Sequence, residues 1–168
     1  MNFWWFVPVL AGLSFALTAG LRRYALARSI LDVPNVRSSH SVPTPRGGGV
    51  SIVLTYVAAL MMLFTAGMIS FGPFIAFLGA GAITAVIGFL DDHGHVAARW
   101  RLLAHFLAAI WGVAFLGGLA PISLYGFMLD FGWIGNVLAV VYVVWMLNLY
   151  NFMDGIDGIA SVEAITVC

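Results

Sequence analysis

The chain has 168 residues, 62% hydrophobic and 8% charged, and its seven basic and seven acidic residues leave no net charge at neutral pH. Soluble domains carry about a quarter charged residues, so this composition belongs in a bilayer, and without a basic excess no nucleic-acid partner is expected. The single cysteine, Cys168, excludes an internal disulfide and carries no redox motif.

The first predicted element runs from Phe3 to Leu21, an uncharged stretch close to the roughly 20 residues that a helix needs to cross the hydrocarbon core. No basic residue precedes its apolar run, and it is longer than a signal-peptide core, so a retained first span is expected rather than a cleaved leader. Arg22, Arg23 and Arg28 follow, and then a polar, proline-containing segment from Asp32 to Gly49 that cannot face lipid and reads as a loop in water. From Gly47 to Leu90 there is no Asp, Glu, Lys or Arg, a length of two spans and a short turn. The turn is placed around Gly67 to Pro73, which gives a second span at about 50–69 and a third at about 74–90. Asp91 and Asp92 end the third, Arg99 and Arg101 open the fourth, and a mostly uncharged connection around Pro121 to Asp130 leads to a fifth from Phe131 to Tyr150. Ten further residues after Gly158 begin a sixth span.

The expected fold is therefore all-α: a polytopic bundle of five complete membrane helices and the start of a sixth, forming one integral membrane domain over 1–168. All seven basic residues (Arg22, Arg23, Arg28, Arg37, Arg46, Arg99, Arg101) fall in two loops on one side of the membrane. By the positive-inside rule that side is cytoplasmic and the N-terminus lies outside. Three polar stretches, about 22–49, 91–101 and 148–158, then share the cytoplasmic face. The sixth span is cut short, so the chain is expected to be an N-terminal portion of a larger protein.

Chemistry concentrates in those stretches. Asn148, Asn151, Asp154 and Asp157 recur at a spacing of three, and Gly155 and Gly158 remove bulk beside the two acids. Asp91 and Asp92 could be a solvated helix end, but with Asp154 and Asp157 they make four carboxylates on one face. That set suits a hard cation such as Mg²⁺. In the first loop Arg37 and Arg46 offer planar donor forks to phosphate, and Gly47, Gly48 and Gly49 permit close backbone approach by a neighbouring helix or an anion. Glu163 enters lipid in the sixth span, where an unpaired carboxylate is costly, and is expected to face the protein or the site. His105 reads as a hydrogen-bonded packing residue and Asn136 as an interhelical bond. The tryptophans Trp4, Trp5, Trp100, Trp133 and Trp145 read as lipid-facing or interfacial.

Together the Asp-x-Pro-Asn-x-Arg-Ser-x-His-x-x-Pro-Thr-Pro-Arg-Gly-Gly-Gly loop at 32–49, Gly88-Phe89-Leu90-Asp91-Asp92, and Asn148-x-x-Asn151-x-x-Asp154-Gly155-x-Asp157-Gly158 resemble the polyprenyl-phosphate N-acetylhexosamine-1-phosphate transferase family. The resemblance implies transfer of a sugar-1-phosphate from a UDP-N-acetyl sugar to undecaprenyl phosphate with Mg²⁺, Mn²⁺ being the alternative metal, and release of UMP. This is the step that initiates O-antigen, teichoic acid or related envelope glycans at the bacterial inner membrane. It also implies that Asp91 and Asp92 form the catalytic pair, with Asp91, Asp154 and Asp157 near the metal. Asn148, Asn151, Arg37, His40, Arg46, Gly47, Gly48 and Glu163 are implied to contact substrate. Pro43 to Gly49 resembles the branch that uses simple UDP-N-acetylhexosamines or their deoxy derivatives, rather than the phospho-MurNAc-pentapeptide translocases. A further acid and a histidine-containing loop of the family would lie beyond Cys168, so a piece inactive by itself is one alternative. An ion-coupled transporter subunit is another, and a homodimer is an open assembly state.

Overall fold

The computed structural model describes residues 3–29, 31–32, 44–45, 47–94, 96–153 and 159–167. After a 3-10 turn at Phe3–Trp5 come α1 (Phe6–Ala27), two short strands β1 (Leu31–Asp32) and β2 (Thr44–Pro45), α2 (Gly48–Thr65), α3 (Phe71–His93), α4 (Ala98–Leu116), strands β3 (Ile122–Leu124) and β4 (Phe127–Leu129), α5 (Gly132–Met153) and α6 (Ile159–Val167). Five of these helices, α1 to α5, are long and apolar enough to cross a membrane. The expected helical fold with five spans is thus present, and α6 stands where the sixth was expected.

The boundaries differ in ways that physics explains. The first helix runs through Arg22 and Arg23 to Ala27, past the apolar limit at Leu21. Arginine is a good helix former whose long stem lies along apolar surface while its head reaches water, so the helix outlasts its lipid-crossing part. α2 stops at Thr65 because Gly67 takes a φ of +70° and the Met68 N–H donates to Leu63 O at 2.9 Å, closing the last turn. The connection between the fourth and fifth spans holds a hairpin that hydrophobicity alone did not reveal.

The residues fall into two compact units. One carries α1, β1, β2, α2 as far as Met62, and α6; the other runs from Leu63 to Met153. In the first, Thr18 Oγ1 donates to Ser51 Oγ at 2.8 Å, and Ser51 Oγ donates to Gly48 O at 2.7 Å, tying α1 to the start of α2.

In the second unit α3 and α4 pack antiparallel through small residues. Ala76, Ala108 and Ala109 are buried, and a Cβ added at Gly72 would sit 3.1 Å from Phe115 O. A Cβ at Gly79 would collide with the Trp111 indole, whose Nε1 donates to Ile75 O at 2.9 Å. Small residues let helices approach where no hydrophobic drive separates protein from lipid. α4 meets α5 at one end through Asn136, whose Oδ1 accepts the Leu119 N–H at 2.8 Å. The interhelical bond expected of Asn136 therefore goes to the backbone just past α4.

Candidate functional site

The polar end of the second unit is built from three helix ends: the last turn of α3, the first turns of α4 and the last turns of α5. Asp91 closes α3, and its carboxylate spans the turn to α4. Oδ1 accepts the Val96 N–H at 3.2 Å, and Oδ2 accepts Arg101 Nη1 at 2.7 Å. The side chains of Arg101 and Asp91 remain 35% and 29% exposed, so the pair is not enclosed in a core. Asp92, next along the chain, is the more exposed acid.

Arg101 and His105 are one turn apart on α4 and share a face. His105 is buried, with Arg101 and the Asn148 side chain of α5 as its polar neighbours. Asn148 Nδ2 donates to Val144 O at 2.8 Å, one turn back along α5. Nδ1 of His105 is enclosed with no hydrogen-bond partner among the described residues. A polar strip thus runs from α3 to α5 in the order Asp91, Arg101, His105, Asn148. Asn151, one turn beyond Asn148, is exposed at the same helix end.

The structure therefore brings together Asp91 and Asn148 of the expected set, through two residues that sequence reasoning had given other roles. Arg101 had been read as topological charge and His105 as packing. The signal for the first was present: an acid in the last turn of one helix and an arginine in the first turn of the next, joined by a short link. Nothing in the sequence marked His105 and Asn148 as neighbours, because most of α4, the hairpin and most of α5 lie between them along the chain.

The first unit carries other expected positions. Gly47, at φ +94°, makes a left-handed turn into α2, a backbone state in which any side chain is strained. Among the described residues nothing lies within 4 Å of a Cβ built at Gly47, Gly48 or Gly49, so here these glycines open space rather than pack a neighbouring helix. Glu163 is half-buried in α6, and its Oε2 is enclosed without a partner among the described residues. Such an oxygen costs about 1–3 kcal/mol, more when charged. Arg37, His40, Arg46, Asp154 and Asp157 lie outside the described residues.

Among the described residues no three His, Cys, Asp or Glu side chains gather to hold a metal. Mg²⁺ commonly takes one or two carboxylates and fills its remaining positions with water and substrate phosphate. Asp91 is a donor of that type, partly exposed at its helix end, with Oδ1 shared with the Val96 N–H and Oδ2 with Arg101.

Comparison with known proteins agrees with the motifs. Residues 74–168, more than half of the chain, match glycosyl transferase family 4. Undecaprenyl-phosphate alpha-N-acetylglucosaminyl 1-phosphate transferase of Thermotoga maritima is 33% identical over 99 residues, which covers 59% of this chain and 30% of that protein. The chain thus aligns with less than a third of the relative's length. No solved structure matches.

Proposed function

The chain belongs to glycosyl transferase family 4, and from that premise we propose that it serves to transfer N-acetylhexosamine-1-phosphate from a UDP-sugar to undecaprenyl phosphate, giving undecaprenyl-diphosphate-sugar and UMP. The observation that carries this reading is the Asp91–Arg101 pair at the ends of two membrane helices, with Asn148 held at the same end. A carboxylate and a guanidinium at that depth suit a phosphate on a lipid tail meeting a phosphate from the cytosol. The name of the Thermotoga maritima relative supports undecaprenyl phosphate as the acceptor.

In the proposed reaction an oxygen of the lipid phosphate bonds to the β-phosphorus of the UDP-sugar. The bond from that phosphorus to the bridging oxygen breaks, and UMP leaves with the bridging oxygen. Bringing two anions together is mostly positioning and charge neutralisation. Arg101, with Arg37 and Arg46, offsets phosphate charge. Asp91, fixed by Val96 and Arg101, orients the site, and the more exposed Asp92 accepts the proton of the lipid phosphate. Asn148 and Asn151 line the sugar-nucleotide side, with Gly47, Gly48, His40 and Glu163 as further contacts. Asp91, Asp154 and Asp157 would hold Mg²⁺, or Mn²⁺, whose contribution when bound is to neutralise diphosphate charge. The arginine-bearing face is cytoplasmic, the N-terminus is outside, and the membrane is the bacterial inner membrane. The product would start an envelope glycan such as O-antigen or teichoic acid.

The test is UMP release by the purified chain in detergent, with undecaprenyl phosphate, a panel of UDP-N-acetylhexosamines and Mg²⁺. Release is expected to need lipid and metal and to fall at least about 100-fold in Asp91→Asn, the scale of losing one charge-stabilising group. Release indifferent to the lipid or to Asp91 would overturn the reading.

A further inference from the structure

The hairpin between α4 and α5 has no place in the transfer chemistry, and it lies at the end of the second unit opposite Asp91. β3 and β4 pair antiparallel, with Ile122 opposite Leu129, Ser123 opposite Met128 and Leu124 opposite Phe127. Because side chains alternate across a strand, Ile122, Leu124, Phe127 and Leu129 occupy one face. All six strand residues are exposed, Phe127 to 75%.

Water is a poor environment for such a piece. A lone two-stranded hairpin is marginal in water without an apolar face packed on something, and an apolar patch of this kind on a soluble surface normally has a partner. The turn sharpens the point. Tyr125 and Gly126 both take positive φ, +48° and +89°, as a type I′ turn requires. Asn or Asp is the usual first residue there, so a tyrosine accepts backbone strain to place its ring at the tip, where it is 95% exposed.

Position names the partner. Asp130 and Phe131 are all that separate Leu129 from α5, at most about 10 Å of chain. The base of the hairpin is therefore fixed where two membrane helices end. The adjoining helix ends carry exposed apolar side chains of their own, Phe115 and Leu116 of α4 and Trp133 and Ile134 of α5. Depth is bounded from the other direction. The outer edges of a two-stranded ribbon leave N–H and C=O groups unpaired, and these cannot enter hydrocarbon. The headgroup–acyl boundary satisfies both demands, and Tyr and Trp favour it.

We infer that the Ile122–Leu129 hairpin is a membrane-interface anchor: its Ile122, Leu124, Phe127 and Leu129 face lies against the acyl boundary of the leaflet opposite the Asp91 end. The inference does not rest on the transferase reading. It is tested by nitroxide labels in a Cys168→Ser background, at Phe127→Cys on the apolar face and Met128→Cys on the other. The protein is placed in phosphatidylethanolamine–phosphatidylglycerol vesicles, with Ala97→Cys as the water reference and Tyr142→Cys on α5 as the lipid reference. Collision with oxygen is expected to exceed collision with a nickel chelate at 127, at a ratio between the two references, and the ratio should be several-fold lower at 128. Nickel dominance at 127 would mean that the hairpin stands in water. Weak collision with both would mean that protein, another copy or another segment, covers it; either result overturns the inference. Phe127→Trp, which keeps an aromatic ring, gives a second reading. It should add emission quenched by lipids brominated near the headgroup, and added emission that those lipids do not quench would count against the anchor.

Discussion

At Asp91 one carboxylate serves two masters, a backbone N–H at Val96 and a guanidinium at Arg101. Ion pairs that remain a third exposed contribute little to folding, about 0–1 kcal/mol. A double-mutant cycle with Asp91→Asn and Arg101→Gln should therefore show a coupling below about 1 kcal/mol in thermal or denaturant unfolding in detergent. The same substitutions should each cost transfer activity heavily, since orienting a charge near phosphate acts on the reaction and not on the fold. His105 makes the complementary case. Its ring is buried with Nδ1 enclosed and unpartnered among the described residues, so His105→Leu trades an under-satisfied imidazole for apolar volume and should hold stability within about 1 kcal/mol. Transfer should still fall roughly tenfold as Arg101 and Asn148 lose a polar neighbour, and His105→Gln, which keeps a polar group there, should recover most of it. Equal loss in the Leu and Gln variants would mean that the ring only fills space. The acids were legible in the sequence because charge stands out against an apolar run. The histidine's role was not, because contact order along a membrane chain hides which polar residues meet.

The seam between α3 and α4 is where element-scale energetics lie. Gly79 leaves room for Trp111 to lie on the backbone of α3 and donate to Ile75 O. Gly79→Val should force the indole out and separate the helices, a loss of about 1–3 kcal/mol typical of overpacking, seen as a lower melting temperature. Trp111→Phe removes the hydrogen bond while keeping most of the ring and should cost about 1 kcal/mol. At the other end of α4, Gly118 has a φ of +94° and a Cβ there would run into the Asn136 amide. Gly118→Ala combines backbone strain with that clash and should destabilise by about 1–3 kcal/mol. Asn136→Ala should cost less, about 1 kcal/mol, through the unpaired Leu119 N–H. If both variants melted like the parent, this cap would have no energetic role. Hydropathy located the helices that these residues join. It is blind to a glycine whose task is to admit a ring from the neighbouring helix, and it averaged the Ile122–Leu129 strands into an uncharged connection.

For the whole molecule, the arginines provide the orientation experiment. With Cys168→Ser as background, Met68→Cys between α2 and α3 should react with a membrane-impermeant maleimide in intact cells. Ala97→Cys between α3 and α4 should react only after the cells are opened, and the reverse pattern would invert the proposed topology. The count and type of spans were legible because crossing about 30 Å of hydrocarbon dictates helix length. The ends were not, since α1 continues into arginines and capping decides where α2 stops. Within the second unit, Asp91 and Asn148 of the expected site stand at the same end. The two hydroxyls shared between α1 and α2 bear on how such a molecule could be re-engineered. Ser51 is buried and receives its hydrogen bond from Thr18, while giving its own to Gly48. A chimera that borrowed its first span from an unrelated anchor would leave Ser51 without the Thr18 donor, so a hybrid that keeps a hydroxyl at the height of Thr18 preserves the polar tie from α1 to the start of α2.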